Sequence, residues 1–189
     1  LVYRDFITVG LLLNELKVKQ NDDGLLPDNW IYVQEPDVRL GRIQIFNNWS
    51  PYMIADPTKV WLGLEYFCNE GDDLWTLSDE AMVALATEEL VKIGFVEQEA
   101  VLDSVVIRVP KAYPAYLGSY TKFSVIRHHT DRISNLFLVG RNGMHRYNNM
   151  DHSMLTAMMA VDLYLNNEIS KDSIWSVNAE DDYHESKPS

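Results

Sequence analysis

The chain has 189 residues, of which 47% are apolar and 23% are charged, and its net charge is −12. This length can bury the core of one domain or of two small ones. The excess of acidic residues argues against nucleic-acid or membrane partners, because phosphate groups are bound by basic clusters. Cys68 is the single cysteine, so an intrachain disulfide is excluded. No signal peptide is recognisable, and we expect a cytoplasmic location.

The first half of the chain is rich in β-forming runs. Polar loops and Asp-Pro or Asp-Gly turns separate them, and their spacing predicts an antiparallel meander. The predicted strands are residues 6–13, 30–34, 42–49 and 60–68.

Helical periodicity dominates the second half. Ser78 is a suitable N-cap for a helix that runs to residue 93 and stops at Gly94. The remaining pattern predicts strands at 101–109 and 136–139 and helices at 119–133 and 150–165. The order of these elements predicts an α+β fold whose sheet is mostly antiparallel.

Three regions follow from this reading. Residues 1–134 form an α+β region, residues 135–167 a strand–loop–helix, and residues 168–189 an acidic tail. The strand at 136–139 is wholly apolar, as in a sheet covered on both faces, but the chain offers few parallel partners for it. We therefore expect it to complete a sheet whose other strands lie outside this sequence.

The segment from 140 to 152 has the composition of a binding loop. Gly140 and Gly143 permit a positive φ or a close approach of the backbone to a ligand. Arg141 and Arg146 can each bind a phosphate group through two hydrogen bonds. Asn148 or Asn149 would cap the next helix, whose first N–H groups can bind an anion. A helix cap flanked by surface arginines explains the same composition without any ligand.

The stretch LFLVGRNGMHRYNNMDHSMLTAMMA, residues 136–160, resembles the C-terminal FAD-contacting segment of the UDP-galactopyranose mutases. These belong to the wider group of flavin-containing amine oxidoreductases and protoporphyrinogen oxidases. Gly140-Arg141, Arg146-Tyr147 and Met150-Asp151 have the spacing of the family. Upstream stretches resemble the substrate domain of such flavoproteins, so the resemblance runs from about residue 3 to 165. It implies that the region 1–134 binds the substrate and that the strand–loop–helix at 135–167 contacts FAD.

The resemblance implies a role for several residues. Arg141 would lie at the flavin face and meet a substrate diphosphate, and the Tyr147 hydroxyl would bind a phosphate of a nucleotide sugar. Asn149 stands where the mutases have an acidic residue near the ribityl chain, and Met150 would begin a helix near the flavin C2=O. The FAD-binding set is completed by three further residues: Gly140, Asn148 and Asp151.

Two departures from the family pattern affect these roles. The acid-to-Asn change weakens the contact carried over to Asn149, and His145 replaces an aromatic residue in the pocket wall. The motif fixes the flavin geometry better than the reaction. Reduced flavin acts as a nucleophile in the mutases, whereas most relatives remove hydride from their substrate.

Outside this segment, three aromatic residues are candidates for a sugar or nucleotide pocket, because aromatic faces stack on sugar rings. They are Trp49, Tyr113 and Tyr116, with Arg42, Asn47 and Asn48 as nearby polar groups. No metal site is predicted, since the histidines at 128, 129, 145 and 152 lack ligand spacing and are expected at the surface. Catalytic residues remain unassigned.

The resulting hypothesis is a C-terminal fragment of a FAD-dependent oxidoreductase or mutase acting on a nucleotide sugar or similar polar substrate. An amine-oxidase or desaturase-type flavoprotein and a non-catalytic α+β interaction module remain alternatives. The expected partner is a small molecule such as a UDP-sugar, and homo-oligomers stay open. The Gly-x-Gly-x-x-Gly fingerprint of dinucleotide binding is absent, so the other part of the FAD site would lie outside this sequence.

This absence generates a prediction. The isolated 189-residue chain should bind FAD weakly or not at all, because it holds only one side of the cofactor site. An absorbance spectrum of the purified chain tests this. A flavin band that copurifies with the chain alone would refute it.

Overall fold

The computed structural model describes residues 1–18 and 25–178, which divide into two compact units. The sheet unit comprises Asp5–Pro110, and the helical unit comprises Leu1–Arg4 and the chain from Lys111 onward. The Asp-Gly turn predicted at 23–24 and the end of the acidic tail at 179–189 lie outside the described residues. The functional division predicted above is a different one and stays a prediction.

The elements follow one another in a mixed α+β order. The five strands are β1 (Val2–Leu13), β2 (Trp30–Tyr32), β3 (Arg42–Ile45), β4 (Val60–Cys68) and β5 (Val101–Ala115). The six helices are α1 (Phe46–Trp49), α2 (Asp79–Lys92), α3 (Phe123–Asp131), α4 (Gly140–Met144), α5 (Met150–Leu165) and α6 (Asp172–Trp175). The predicted α+β class with an antiparallel sheet is confirmed.

The strand order is β2-β3-β4-β1-β5. The predicted meander is therefore right for β2, β3 and β4 but wrong for β1, which lies between β4 and β5. β1 and β4 are antiparallel from Asp5↔Cys68 to Leu13↔Val60. This pairing places the apolar side chains of β1 and β4 side by side on the same face of the sheet, so their joint burial outweighs the shorter connection of a continuous meander.

One face of the sheet packs against α2. Alternate residues of β1 are completely buried, and Leu62, Leu64 and Tyr66 of β4 share their core with Met82, Ala86 and Leu90 of α2. Ser78 caps α2 by accepting a hydrogen bond from the Ala81 N–H, as predicted. Cys68 is also in this core, and burial raises the pKa of its thiol to about 12.

A buried carboxylate joins α2 to the sheet. The two oxygens of Glu89 accept hydrogen bonds from the backbone N–H groups of Arg39 at 2.6 Å and Leu40 at 2.9 Å. The Tyr66 hydroxyl donates a third at 3.0 Å. Burial, with Glu89 next in effect, raises the pKa of Tyr66 far above its ordinary value. Helical periodicity alone does not predict a buried acid at this position.

Several predicted elements have different bounds in the structure: β1 begins earlier, β2 ends at Tyr32 and β5 continues to Ala115. Two further elements change type within their predicted span. The strand expected over 42–49 ends at Ile45, because Asn47 then hydrogen-bonds the Lys59 carbonyl at 2.8 Å and the Trp61 N–H at 3.0 Å. These side-chain bonds take the place of a strand ladder and allow α1 to form. The helix expected over 119–133 begins as a 3-10 turn at Gly118–Lys122 and continues as α3.

The strand predicted at 136–139 is wrong as a strand, although its conformation is extended. Val139 has φ −131° and ψ 154°, yet none of the described strands pairs with the segment. A β-strand requires ladder hydrogen bonds, so an extended segment without a partner is not one.

Lys171 fixes the turn that leads into this segment. Its buried ammonium group donates to the backbone carbonyls of Asp131 at 3.2 Å, Ile133 at 2.7 Å and Leu136 at 2.8 Å. Three acceptors match the three donors of a lysine, so the charge is buried without an unpaired donor. The extended segment is thereby held where it starts.

α5 has the bounds predicted from the sequence, but its main apolar stripe faces outward. The stripe residues are between 56% and 84% exposed: Met150, Met154, Met158, Val161 and Leu165. The buried side of α5 consists of Thr156, Ala160 and Leu163, and it packs with α6, which the sequence did not predict. No helix in the described part of the chain is long and apolar enough to cross a membrane.

The Glu89 contacts generate a stability prediction. Replacing Glu89 by Gln turns one acceptor into a donor that faces another donor, which should lower the free energy of unfolding by about 2 kcal/mol. Urea denaturation followed by fluorescence measures this. Glu88→Gln is the matched control, because Glu88 is exposed on the same helix and its change should leave the midpoint where it is. Equal midpoints for the two variants would contradict the role of Glu89.

Candidate functional site

The segment after residue 139, predicted to be an irregular loop, begins with the short helix α4. Gly140 has φ +70°, a conformation that favours glycine. Its N–H donates to the Thr156 hydroxyl at 3.1 Å, and Thr156 is completely buried on α5. The start of the loop is therefore anchored to the middle of the following helix.

A Schellman turn closes α4 and reverses the chain. His145 adopts a left-handed conformation with φ +46°. The Arg146 N–H donates to the Arg141 carbonyl at 3.1 Å, and the His145 N–H donates to the Asn142 carbonyl at 3.3 Å. This pair of bonds is the Schellman pattern, and it returns the chain toward Arg141.

Arg141 occupies the inside of that reversal. Its Nε–H donates to the Asn148 carbonyl at 3.0 Å, and its Nη1 donates to the Ala112 carbonyl at 3.2 Å. The guanidinium carbon lies 5.2 Å from the ring centroid of Tyr113 and 4.6 Å from that of Tyr147. The two rings are 6.1 Å apart and nearly parallel, at 17°. Arg141 is thus held by cation–π contacts and by backbone carbonyls in one orientation.

The backbone of Tyr147 is fixed as well. Its N–H donates to the Tyr116 hydroxyl at 2.6 Å, and its carbonyl accepts from the Asn178 side chain at 2.5 Å. Tyr116 in turn stacks on Tyr120 at 4.6 Å. The predicted residues Tyr113, Tyr116 and Tyr147 are therefore gathered around Arg141, within the helical unit.

The fourth predicted aromatic residue lies elsewhere. Trp49 belongs to the sheet unit, where it packs edge-to-face on Trp30 at 4.8 Å. Its expected polar neighbour Arg42 is buried in an ion pair with Glu65. The side chain of Asn48 donates to the Leu26 carbonyl at 2.6 Å. The side chains of Arg42 and Asn48 are therefore engaged in contacts within the sheet unit and are not held open for a ligand.

The start of α5 has a capping box. Asn149 is the N-cap, and its N–H donates to Nδ1 of His152 at 3.3 Å while its side chain accepts from the His152 N–H. The N–H groups of Met150 and Asp151 point out of the first turn and have no acceptor among the described residues. The helix therefore presents two donors and its positive dipole end beside the loop.

Asn148 is as enclosed as His145, the other buried polar residue of this loop. It is 2% exposed, and its Nδ2 donates to the Arg146 carbonyl at 3.1 Å. Its Oδ1 is buried and has no hydrogen-bond partner in the described part of the chain. A buried acceptor of this kind needs a donor from water or a ligand. Arg146 donates to the Trp175 carbonyl at 2.8 Å, so it braces the loop rather than extending from it as expected.

The expectation of surface histidines is right for His128 and His129 but wrong for His145, which is only 2% exposed. The left-handed turn directs its ring inward. The sequence carried one signal for this, since an aromatic residue stands at the same place in the family it resembles. No group of three or more His, Cys, Asp or Glu side chains that could hold a metal occurs in the described ranges.

The arrangement suits an anion with a flat, polar neighbour. Arg141 still has guanidinium N–H groups beyond those used for Asn148 and Ala112, and a planar guanidinium binds phosphate or carboxylate oxygens through two parallel bonds. The Tyr147 hydroxyl and the first N–H groups of α5 add uncharged donors. Together these groups can bind and orient an anion.

No protein-family model matches the sequence, and no curated protein matches it. Among solved structures, a reduced UDP-galactopyranose mutase matches with a TM-score of 0.74 and 18% sequence identity. The match covers 94% of this chain and 37% of the mutase. This chain has the fold of part of that mutase. The resemblance found in the sequence is thus confirmed in the fold, over a chain that spans little more than a third of the mutase.

A second structure is that of a protein named as a protoporphyrinogen oxidase from Exiguobacterium sp. 255-15. It is 17% identical, with a TM-score of 0.48 over 67% of this chain and 27% of that protein.

The bond between Tyr116 and Tyr147 generates a prediction. Tyr116→Phe removes the acceptor of the Tyr147 N–H, so local opening should become easier by about 1 kcal/mol and this amide should exchange about fivefold faster. Hydrogen exchange followed by NMR measures the rate. Tyr120→Phe is the control, because it keeps the stack and leaves the Tyr116 hydroxyl in place. Unchanged exchange in Tyr116→Phe would show that this bond does not hold the loop.

Proposed function

We propose that this chain is the substrate-binding and flavin-contacting part of a FAD-dependent enzyme of the UDP-galactopyranose mutase-like group, acting on a nucleotide sugar. The observation that carries the proposal is Arg141, whose guanidinium contacts the stacked rings of Tyr113 and Tyr147 near the start of α5. The fold similarity to part of a mutase supports it.

The substrate class follows from the chemistry of this loop. A diphosphate has several oxygens that a guanidinium can bind in pairs, and the Tyr147 hydroxyl can donate to another. The net charge of −12 repels such a substrate at long range, so the attraction must come from a local positive group. Arg141 supplies that charge in a fixed orientation. The rings of Tyr113 and Tyr116 support the loop, since Tyr113 contacts the Arg141 guanidinium and Tyr116 accepts from the Tyr147 N–H.

The loop also fits one side of FAD. The open N–H groups of Met150 and Asp151 at the helix start suit the flavin C2=O and the negative charge of the reduced ring. The unpartnered Oδ1 of Asn148 suits a donor on the cofactor. FAD, when bound, supplies the ring that takes electrons or attacks the sugar.

Two other residues of the implied FAD-binding set are already engaged. The N–H of Gly140 is bonded to Thr156, so this glycine shapes the loop instead of donating to the cofactor. Asn149 is committed to the capping box, which limits it to holding the helix start in place. Asn148, Met150 and Asp151 therefore carry the proposed contact with FAD.

A domain that binds the remainder of FAD completes this picture. The segment 136–139 is extended and unpaired, and the α5 stripe is apolar and exposed. Both features suit a parallel sheet of the Rossmann type, in which a strand is paired on each side and a helix covers the face. We propose that this sheet belongs to the part of the protein outside the 189 residues.

The longer protein that contains this chain tests the proposal directly. Its absorbance spectrum should contain a flavin band, and reduction should raise its affinity for UDP-sugars if the chemistry is mutase-like. Oxygen consumption with a small amine, without UDP binding, would favour the amine-oxidase alternative. Absence of flavin under reducing and oxidising conditions would favour the non-catalytic alternative and overturn the proposal.

A substitution tests the role of Arg141 in the same protein. Arg141→Lys keeps the charge but loses the planar pair of donors and the stacking, so the affinity for UDP should fall by about tenfold or more. Calorimetric titration with UDP measures it. Arg132→Lys is the control, since Arg132 is an exposed arginine of the same unit. Equal UDP affinities of the two variants would show that Arg141 does not bind the substrate.

A further inference from the structure

His145 occupies a backbone position that normally favours glycine. Its φ of +46° lies in the left-handed region, at the end of the Schellman turn that closes α4. A non-glycine residue there costs about 1 kcal/mol or more. Such strain persists only where the surroundings hold the residue in place, so the side chain of His145 must contribute something that a glycine would not.

The side chain sits in an aromatic cage. The His145 ring centroid lies 4.5 Å from that of Tyr3, edge-to-face at 81°, 5.7 Å from Tyr120 and 6.3 Å from Phe123. The residue is 2% exposed. Neither ring nitrogen makes a hydrogen bond of good geometry with the described residues. The ring is thus enclosed without a well-placed acceptor for either nitrogen, so an imidazolium there would bury unpaired N–H donors. The cation–π attraction of the surrounding rings offsets only part of that cost.

The cage is coupled to the Arg141 site through the backbone. The His145 and Arg146 N–H groups make the two bonds of the Schellman turn, and the second ends on the carbonyl of Arg141. Tyr147 follows two residues later and forms one wall around the Arg141 guanidinium. Withdrawal of the His145 ring would open this turn and separate the two partners.

We propose that His145 is a positioning residue whose neutral ring holds Arg141 and Tyr147 together, and that protonation of the ring releases them. The ring is therefore a pH-responsive latch for the loop. The proposal rests on the proposed function only for the identity of the bound anion.

The sign of the pH effect follows from the surroundings of the ring. Burial lowers the pKa of His145 from its ordinary 6.5, and the Ala115 backbone partly opposes this. The facing titratable groups are the hydroxyls of Tyr3 and Tyr120 and the N-terminal amine, which lowers the pKa slightly. Outside the cage, the His145 ring has a higher pKa than inside it, so the released ring binds a proton more readily. The latch is therefore closed above pH 6.5 and opens as the pH falls through the lowered pKa.

NMR of the 189-residue chain between pH 8 and 5 tests the latch without flavin or substrate. The probes are the C2–H resonance of His145 and the Nε–H resonance of Arg141, which is bonded to the Asn148 carbonyl. Both should change with the same midpoint, below 6.5. Each pH unit below that midpoint should shift the latch about tenfold toward the open state. Different midpoints, or a protonated His145 with an unchanged Arg141 signal, would overturn the proposal.

Substitutions separate the latch from general acid effects. His145→Phe fills the cage with a ring that cannot be protonated, so the Arg141 resonance should stay constant to pH 5. His152→Gln is the matched control and should keep the wild-type transition, because His152 only caps α5. Persistence of the transition in His145→Phe would contradict the latch. Should His145→Phe not fold, the comparison of midpoints in the wild-type chain decides.

The experiments distinguish failure of the proposed function from failure of the latch. If the protein proved to bind neither UDP nor flavin, the two NMR midpoints would still coincide and the latch would stand. If the latch failed, UDP binding by the longer protein would still depend on Arg141 but would not follow the titration of His145.

Discussion

The reversal of the chain at His145 is the constraint on which the candidate site depends. The left-handed turn lets the Arg141 side chain reach the carbonyl of Asn148, seven residues further along the chain. Without that reversal, Tyr147 would not lie over the guanidinium, and α5 would not begin beside it. A strained residue at a single position thereby organises a cation, an aromatic wall and a helix start, and burial of the His145 ring offsets its cost.

The positive charge of Arg141 is opposite in sign to the net charge of the whole chain. The sequence has 28 acidic and 16 basic residues, so an anion meets repulsion before it reaches the loop. Arg141 keeps its charge but points it along one direction, because two carbonyls and two rings fix the guanidinium. Arg146 keeps its charge as well, but its Nη1–H donates to the Trp175 carbonyl, so this hydrogen bond orients it within the loop. Selectivity for a particular anion then depends on geometry more than on total charge.

Long periodic segments were predictable from the sequence, whereas short and non-local features were not. The bounds of α5 and β4 are those predicted, because burial imposes a clear period on such elements. α1, α4 and α6 have only four or five residues, which is too short for a helical period to show in the sequence. Glu89 and His145 are buried by partners that are distant in sequence, so no local sequence pattern predicts their burial.

For the segment 136–139, the apolar pattern correctly predicts an extended conformation but wrongly predicts a paired β-strand. Its four apolar residues fit a buried strand, and the structure keeps them extended. Lys171 holds the start of the segment through the Leu136 carbonyl, and Thr156 holds its end through the N–H of Gly140. A segment fixed at both ends loses little conformational entropy when a neighbouring strand pairs with it. The same contacts that place Arg141 beside α5 therefore leave the adjoining backbone ready for a partner strand, which links sheet completion to assembly of the site.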